Sequence, residues 1–249
     1  MPLVASGESR IIKRRAAAAS NGLLTNLVAY WGLDEEGGAN DALDKHTNGL
    51  TLTQAASPGS AAGKVYAGAR ALASVSTQYF SRASETLLQV GGTSYSWSCW
   101  IYPTTAITSR YIINKRQDAS NYYALRTDAG GNLIWDEYSG GTKRIEILTS
   151  TVPSLNTWQM ITVVVTRGDT AASRMYLGTN NITTGTPTAL VSYTDNTGAF
   201  NIGRWGGGGN YYDGRLGPVI FWKGSALTSD QRTALYNAGA GLTYAAFTA

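Results

Sequence analysis

The chain has 249 residues, of which 14% are charged and 29 are glycine, and its formal net charge is +4. This low charge and the many aromatic residues exclude a disordered chain, and the glycine content favours short strands and turns over helices. No apolar run approaches the roughly 20 residues that a membrane-spanning helix needs, so we expect no membrane partner. The length suits one large all-β domain.

The positive charge is concentrated near the N-terminus. Residues 1–15 hold four basic residues against one acidic residue, Glu8, whereas the rest of the chain is nearly neutral. A nucleic-acid-binding domain would be expected to carry a basic face of its own, so nucleic acid is not an expected partner. A secretory signal peptide is not expected either, because only four alanines separate Arg15 from Ser20.

Residues 1–26 are predicted to form a basic, alanine-rich arm outside the domain, which we place at 27–249. Ser9 is a suitable N-cap and Asn21-Gly22 a stop signal, so a helix is predicted over 9–19. An isolated helix of this length is marginal in water, so we expect a partner subunit to hold it. A solvated tail and a weak contact of the basic residues with a phosphate backbone are the alternatives. The residues assigned to this assembly arm are Arg10, Ile11, Ile12, Lys13, Arg14 and Arg15.

The first half of the domain is predicted to consist of short strands separated by turns. Strands are predicted over 27–33, 50–53, 69–74 and 78–82, because these segments combine apolar, aromatic or β-branched residues between turn signals. Turns are predicted over 34–38 and 44–49, where Asp, Asn and Gly cluster, and 55–63 is predicted to be a Ser/Ala/Gly/Pro loop.

The two strongest strand patterns are expected to carry much of the core. In Ser94–Pro103, Tyr95, Trp97, Cys99 and Ile101 fall on one face of an extended chain, and Pro103 is expected to end the strand. The segment 156–166 is so rich in β-branched residues that a strand covered on both faces is predicted. The single cysteine excludes an intrachain disulfide, and a buried inert thiol is expected.

The order and spacing of several motifs resemble a known family. Tyr30-Trp31-Gly32-Leu33-Asp34-Glu35, the turn 44–49 and the strand 95–103 are similar to the LamG-like jelly-roll domains of the concanavalin A-like lectin/glucanase superfamily, and the match continues to about residue 245. The resemblance implies an all-β, antiparallel jelly-roll β-sandwich. Thr228 followed by Gln231 independently predicts a short C-terminal helix by its capping-box pattern, with Gly239 as the stop. The fold alone does not fix a function, because it hosts many activities.

Catalysis is not expected from the acidic residues. The glycoside hydrolases of the superfamily carry a pattern close to E-x-D-x-x-E, which places carboxylates on one face of a strand, and no Glu here is followed two residues later by Asp. Asp136 and Glu137 are adjacent, so they should point to opposite faces. The single histidine, His46, lies in a predicted polar turn. We therefore predict that the protein is not an enzyme.

A calcium site is a weaker possibility in two neighbouring turns. Calcium takes six to eight oxygen ligands, and Asp34, Asp41 and Asp44 could supply some of them. The alternative is that these residues start the turns by hydrogen bonding to their own backbone. The family often has an acidic residue shortly after the glycine that Gly214 matches, where this chain has Gly217-Pro218, so the resemblance does not strengthen a metal site. No cofactor is otherwise expected.

A sugar site is predicted on the glycine loop near the end of the chain. Aromatic faces and polar side chains on a loop of a rigid scaffold are suited to binding, and this loop combines both. Its alternative role is only to connect two strands, with Trp205 packed on the sheet edge. The other tryptophans in strand patterns are expected to be core. The candidate glycan-binding residues are Trp205, Asn210, Tyr211, Tyr212 and Asp213.

Two functions are therefore considered. The first is a non-catalytic structural or adhesive domain of a larger assembly, held to other subunits by its arm. The resemblance, together with the absence of cysteine pairs and of a signal sequence, favours a bacteriophage virion as location, with a head-decoration, fibre-base or tail-associated role. The alternative is a soluble carbohydrate-binding module that uses the loop at Trp205 and recognises cell-surface glycans.

Overall fold

A computed structural model describes residues 21–188 and 193–247. The predicted helix over 9–19 and the six arm residues between Arg10 and Arg15 lie outside these described residues. One α-helix is present in the described part of the chain, and no helix there is long and apolar enough to cross a membrane. The remaining regular structure is β-strand, apart from short 3₁₀ turns.

Fifteen strands and one α-helix cover the described residues. In chain order they are β1 (Leu27–Trp31), β2 (Thr53–Ala55), β3 (Gly59–Ala62), β4 (Gly68–Leu72), β5 (Tyr79–Arg82), β6 (Tyr95–Pro103), β7 (Tyr111–Asp118), β8 (Asn121–Thr127), β9 (Leu133–Ser139), β10 (Thr142–Leu148), β11 (Gln159–Val165), β12 (Arg174–Leu177), β13 (Asn180–Asn181), β14 (Ala199–Ile202), β15 (Gly214–Lys223) and α1 (Ser229–Tyr236).

The strands form two antiparallel sheets, which confirms the predicted jelly-roll β-sandwich. Sheet 1 has the order β13-β12-β11-β6-β15-β4-β3, and β1 also pairs with β15. Sheet 2 has the order β10-β9-β8-β7-β14-β5-β2. The strand β15 is long enough to pair with β4 through its first residues and with β1 through its last ones. Strands distant in sequence are thereby brought into one sheet.

The core between the sheets is built around the alternating side chains of β6, as predicted. Tyr95, Trp97, Cys99 and Ile101 are fully buried there. The Trp97 ring stacks on Phe221 with 4.1 Å between ring centroids. Stacked aromatic pairs contribute roughly 0.5–1.5 kcal/mol beyond the burial of their surface. The central strand therefore holds the two sheets together through aromatic contacts.

A second apolar cluster covers the outer side of sheet 1. It includes Trp100 of β6, Met160 of β11 and Trp222 of β15, and α1 packs over it with Leu235. This explains why β6 and β11 are buried on both faces. The predicted capping box of α1 is confirmed, because the Thr228 side chain accepts from the Gln231 backbone and the Gln231 side chain accepts from Thr228.

Two boundaries differ from the prediction. The helix α1 ends at a left-handed Asn237 rather than at Gly239. Asn tolerates this conformation through its short polar side chain. The segment 21–26, which we assigned to the arm, packs on the sandwich, because Leu23 is fully buried and its carbonyl accepts a 2.7 Å hydrogen bond from the Trp222 indole.

The predicted loop over 55–63 also contains a strand. Its residues 59–62 form β3, which pairs with β4 at the edge of sheet 1. The strand predicted over 50–53 begins only at Thr53, and Leu52 makes an isolated bridge to Ala42.

A buried carboxyl group lies at one end of the core. Glu137 is fully buried and accepts a 2.7 Å hydrogen bond from the Arg167 guanidinium and another hydrogen bond from the Tyr95 hydroxyl. Burial raises the pKa of Glu137 to about 7, although the Arg167 charge opposes this rise. Nearby, burial lowers the pKa of Lys115 to about 8.

Candidate functional site

The glycine loop between β14 and β15 lies over the outer side of sheet 2. It begins at Gly203, whose backbone has φ +89° and whose amide donates to the Ile112 carbonyl at 2.9 Å. A side chain at this position would clash with Leu72, so glycine is required there. The loop is then fastened to β7 by the Gly206 amide, which donates to the Asn114 side chain at 2.8 Å. These bonds fix where the next aromatic residue lies.

The indole of Trp205 is partly exposed and is supported on three sides. Its ring centroid lies 4.5 Å from that of Tyr111 and 5.0 Å from that of Tyr122, and the second pair meets edge to face. The Arg116 guanidinium lies 4.6 Å from the Trp205 ring centroid. Cation–π contacts of this length are attractive, so the indole is held against the sheet in one position.

Further aromatic rings extend the surface in both directions across sheet 2. Tyr122 of β8 stacks on Tyr138 of β9 with 4.9 Å between centroids. On the other side, the Arg204 guanidinium lies 3.7 Å from the Tyr79 ring of β5. We call the surface formed by Tyr79, Tyr111, Tyr122, Tyr138 and Trp205 the aromatic face. From β9 to β5 it spans four strand spacings, which amount to about 19 Å.

The predicted glycan-binding residues of the loop differ in how exposed they are. Trp205 and Tyr211 remain partly exposed, and Asn210 is exposed with its side chain donating to the Ser109 carbonyl at 2.6 Å. Tyr212 is fully buried in the core between the sheets, so its ring cannot contact a ligand, and its assignment to the sugar site is wrong. Asp213 accepts a 2.6 Å hydrogen bond from the Ser74 amide and stabilises the fold locally.

Four of the five rings on this face were not predicted from the sequence. They belong to four strands that precede the loop by many residues, and they are Tyr79, Tyr111, Tyr122 and Tyr138. Burial raises the pKa of Tyr111 and of Tyr122, which is consistent with tight packing of their rings. Tyrosines in predicted strands are a sequence signal for such a surface. The pairing register of the strands in sheet 2, which the sequence does not give, is what brings these tyrosines beside Trp205.

The carboxylates of Asp136 and Glu146 also lie on this side of sheet 2. Asp136 faces outward and Glu137 inward, as their adjacency predicted. Asp136 lies directly opposite Glu146 of β10, a cross-strand pair that a search along single strands had missed. Asp136 is 1% exposed and accepts two hydrogen bonds from Arg126, and Glu146 is ion-paired with Lys143 at 2.6 Å. These ion pairs engage both carboxylates in structural contacts.

The calcium candidates are not brought together. Asp44 accepts hydrogen bonds from three backbone amides, Asp41 accepts one from Gln54, and Asp34 is ion-paired with Lys45 at 2.9 Å. Within 21–188 and 193–247, no group of three or more His, Cys, Asp or Glu side chains could hold a metal ion. The observed contacts of Asp34, Asp41 and Asp44 organise the turns, as the alternative expects, and calcium binding stays a prediction.

The two-sheet fold defines the class of the molecule as a lectin-like jelly-roll domain. The family model described as the concanavalin A-like lectin/glucanases superfamily matches residues 74–231. The chain therefore belongs to this superfamily, as the resemblance of its motifs implied. The comparison with curated protein sequences found no match.

Solved structures share this fold at low sequence identity. Domain 4 of AbnA, a GH43 extracellular arabinanase from Geobacillus stearothermophilus, is 19% identical with a TM-score of 0.65, over 84% of this chain and 97% of that domain. The binding domain of Paraclostridial Mosquitocidal Protein 1 is 18% identical with a TM-score of 0.66, over 86% of this chain and 52% of that one. A structure of botulinum neurotoxin type C is 10% identical with a TM-score of 0.62, over 88% of this chain and 53% of that one. The chain thus spans about half the length of the two toxin structures.

Proposed function

We propose that the protein is a carbohydrate-binding domain that holds glycans on the aromatic face without cleaving them. The observation that carries the proposal is the partly exposed Trp205 ring, which the loop and its neighbours Tyr111, Tyr122 and Arg116 hold in place. A rigid aromatic surface loses little conformational entropy when it stacks on a sugar ring. The length of the face, about 19 Å, suits an oligosaccharide rather than a single sugar.

The neighbours in fold support the same function. The arabinanase domain was solved in complex with arabinotriose, and cell entry of botulinum neurotoxin type C is described as dependent upon interaction with two ganglioside molecules. The non-catalytic part of the proposal rests on the carboxylates, because Asp136 is buried in an ion pair with Arg126 and Glu146 is paired with Lys143. A catalytic pair would have to flank a glycosidic bond in an accessible cleft.

The test is a glycan array followed by titration of the best oligosaccharide by calorimetry. Trp205→Ala should weaken binding by about thirtyfold or more, since truncating an aromatic residue at the centre of a binding surface typically costs 2 kcal/mol or more. Trp158→Ala is the matched control, because Trp158 is a partly buried tryptophan against Tyr102 on the other sheet. Equal loss in both variants, or no bound glycan at all, would reject the proposal. Release of shorter sugars would reject its non-catalytic part.

A second proposed function is attachment to a larger assembly, such as a bacteriophage virion, through the N-terminal arm. The supporting observation is that the last residues of the predicted arm are held on the domain, because Gln231 donates to the Gly22 carbonyl at 3.0 Å and Trp222 donates to Leu23. Light scattering on the full chain and on a chain that begins at Asn21 tests it. Assembly of the full chain alone would support this function, and two monomers of equal stability would reject it.

A further inference from the structure

The charges of the aromatic face do not balance. Two of its cations are neutralised by carboxylates, because Arg126 pairs with Asp136 at 2.7 Å and Lys143 pairs with Glu146 at 2.6 Å. The two arginines beside the glycine loop, Arg116 and Arg204, form no ion pair with any described carboxylate. The centre of the face therefore carries two arginines that have no described carboxylate in ion-pair contact.

Arg116 is partly buried yet has no hydrogen-bond partner for its Nε atom. Its guanidinium rests against the Trp205 ring, which stabilises the cation only partly. The nearest acidic residue on the same strand, Asp118, instead accepts hydrogen bonds from Ser120 and Asn121. The Nε atom is closed off from solvent, but Arg116 is only partly buried, so a ligand oxyanion could reach the terminal nitrogens of its guanidinium and form charge-assisted hydrogen bonds with them.

Arg204 belongs to the loop and, like Arg116, packs on an aromatic ring without a described carboxylate partner. Its Nε donates to the Asn201 side chain at 2.9 Å, and its guanidinium covers the Tyr79 ring at 3.7 Å. The loop continues from Trp205 into glycines, and a Cβ at Gly207 would lie 2.9 Å from Nη1 of Arg116. The absence of a side chain at Gly207 thus leaves this part of the guanidinium uncovered by the loop.

We infer that the ligand of the aromatic face is an acidic glycan whose negatively charged groups are bound by Arg116 and Arg204. The inference rests on the proposed function and adds the chemical class of the sugar. Guanidinium groups match carboxylate and sulfate oxygens in geometry and form charge-assisted hydrogen bonds with them. The aromatic rings stack on the sugar rings while the two arginines select those that carry negative charge.

The test compares ligands that differ only in charge. Tetragalacturonate is titrated beside its fully methyl-esterified form, and a heparin-derived tetrasaccharide beside its desulfated, N-acetylated form. At least one acidic ligand should bind about tenfold or more tightly than its neutral counterpart at low salt, and the advantage should shrink as salt is added. The two pairs distinguish uronate from sulfate as the source of the oxyanion.

Variants locate the effect. Arg116→Gln and Arg204→Gln should each remove about tenfold of the preference for the acidic ligand. Arg215→Gln is the matched control, because its guanidinium also lies over a tyrosine, 4.6 Å from the Tyr102 ring, but on the outer side of sheet 1. Thermal melting of each variant checks that it is folded, and loss of charge preference in a folded variant supports the inference.

The contrary outcomes are distinct. Equal binding of charged and neutral sugars would overturn the acidic class and leave the proposed function standing. A preference that survives both arginine substitutions would overturn the assignment of these residues. Binding of no glycan on an array that includes acidic and neutral sugars would overturn both proposals. Tighter binding of a thymidylate octamer at the same residues would assign the face to single-stranded nucleic acid instead, since that ligand also combines stacking with oxyanions.

Discussion

The buried carboxyl group of Glu137 should make stability fall as the pH rises. Its pKa is raised by burial from 4.5 in the unfolded chain to about 7 in the folded one. Between these two values the folded protein keeps a proton that the unfolded chain has released. The carboxyl therefore favours the folded state most strongly below pH 4.5, and this contribution is lost as the pH rises through 7.

The size of the effect follows from the two pKa values. They differ by about 2.5, and each unit corresponds to about 1.36 kcal/mol, so the free energy of unfolding should fall by about 3 kcal/mol from this group. The low-pH state keeps Glu137 as a neutral acid between Tyr95 and Arg167. The titration of Lys115 does not overlap, because its pKa change lies between about 8 and 10.5.

The assay is urea unfolding of the wild type and Glu137→Gln at half-unit steps from pH 4.5 to pH 8. The stability of the wild type minus that of the variant should fall by about 3 kcal/mol across this range. Asp128→Asn is a control, because hydrogen bonds from Asn132 lower the pKa of Asp128 below 3.8 and its difference should stay flat. A flat difference for Glu137, or one that rises with pH, would refute the reasoning and show that Arg167 keeps the carboxylate ionised.

Three further experiments test the fold, two by substitution and one by chemical modification of a thiol. Thr228→Ala removes the N-cap acceptor of α1 and should cost about 1 kcal/mol in urea unfolding, whereas Thr228→Ser should cost much less; equal losses would contradict the cap. Gly214→Ala should lower stability by about 3 kcal/mol or more, because φ is +137° and the new Cβ would lie 2.9 Å from Pro103 Cα. Gly208→Ala has open space around the new Cβ and should cost only about 1 kcal/mol, which thermal melting of the two variants can compare. Burial raises the pKa of the Cys99 thiol well above its usual range, so Ellman's reagent should react only as fast as the protein unfolds, and rapid reaction of the native protein would contradict this.

The fold was largely predictable because its main strands carry strong patterns. The alternation of side chains in β6 and the β-branched residues of β11 identify each segment as a strand and show which residues share a face. Neither signal depends on which strands lie beside them. The strand β3 was missed because Gly59–Ala62 contains no β-branched or aromatic residue. Its conformation comes from pairing with β4, which is a tertiary contact that local propensity does not encode.

The candidate site was predictable only in part. The glycine loop led to Trp205, because a loop that combines glycine with aromatic residues is a recognisable local signal. The neighbours Tyr122 and Tyr138 depend on the register of β8 against β9, which places them opposite each other. Tyr212 was misassigned because two consecutive tyrosines cannot both face the same side, and sequence alone does not say which one turns into the core.

The two ends of the described chain meet on the side of the sandwich that faces away from the aromatic face. The Asn21 side chain donates to the Ala246 carbonyl at 3.1 Å, and Phe247 packs with Leu23 in the cluster outside sheet 1. A tether attached before Asn21 or after Phe247 would therefore leave from the back of the domain and point the aromatic face, the proposed binding surface, outward. Many copies displayed on one support would present parallel binding surfaces, so avidity for a multivalent glycan surface would grow with copy number without contacts between neighbouring domains.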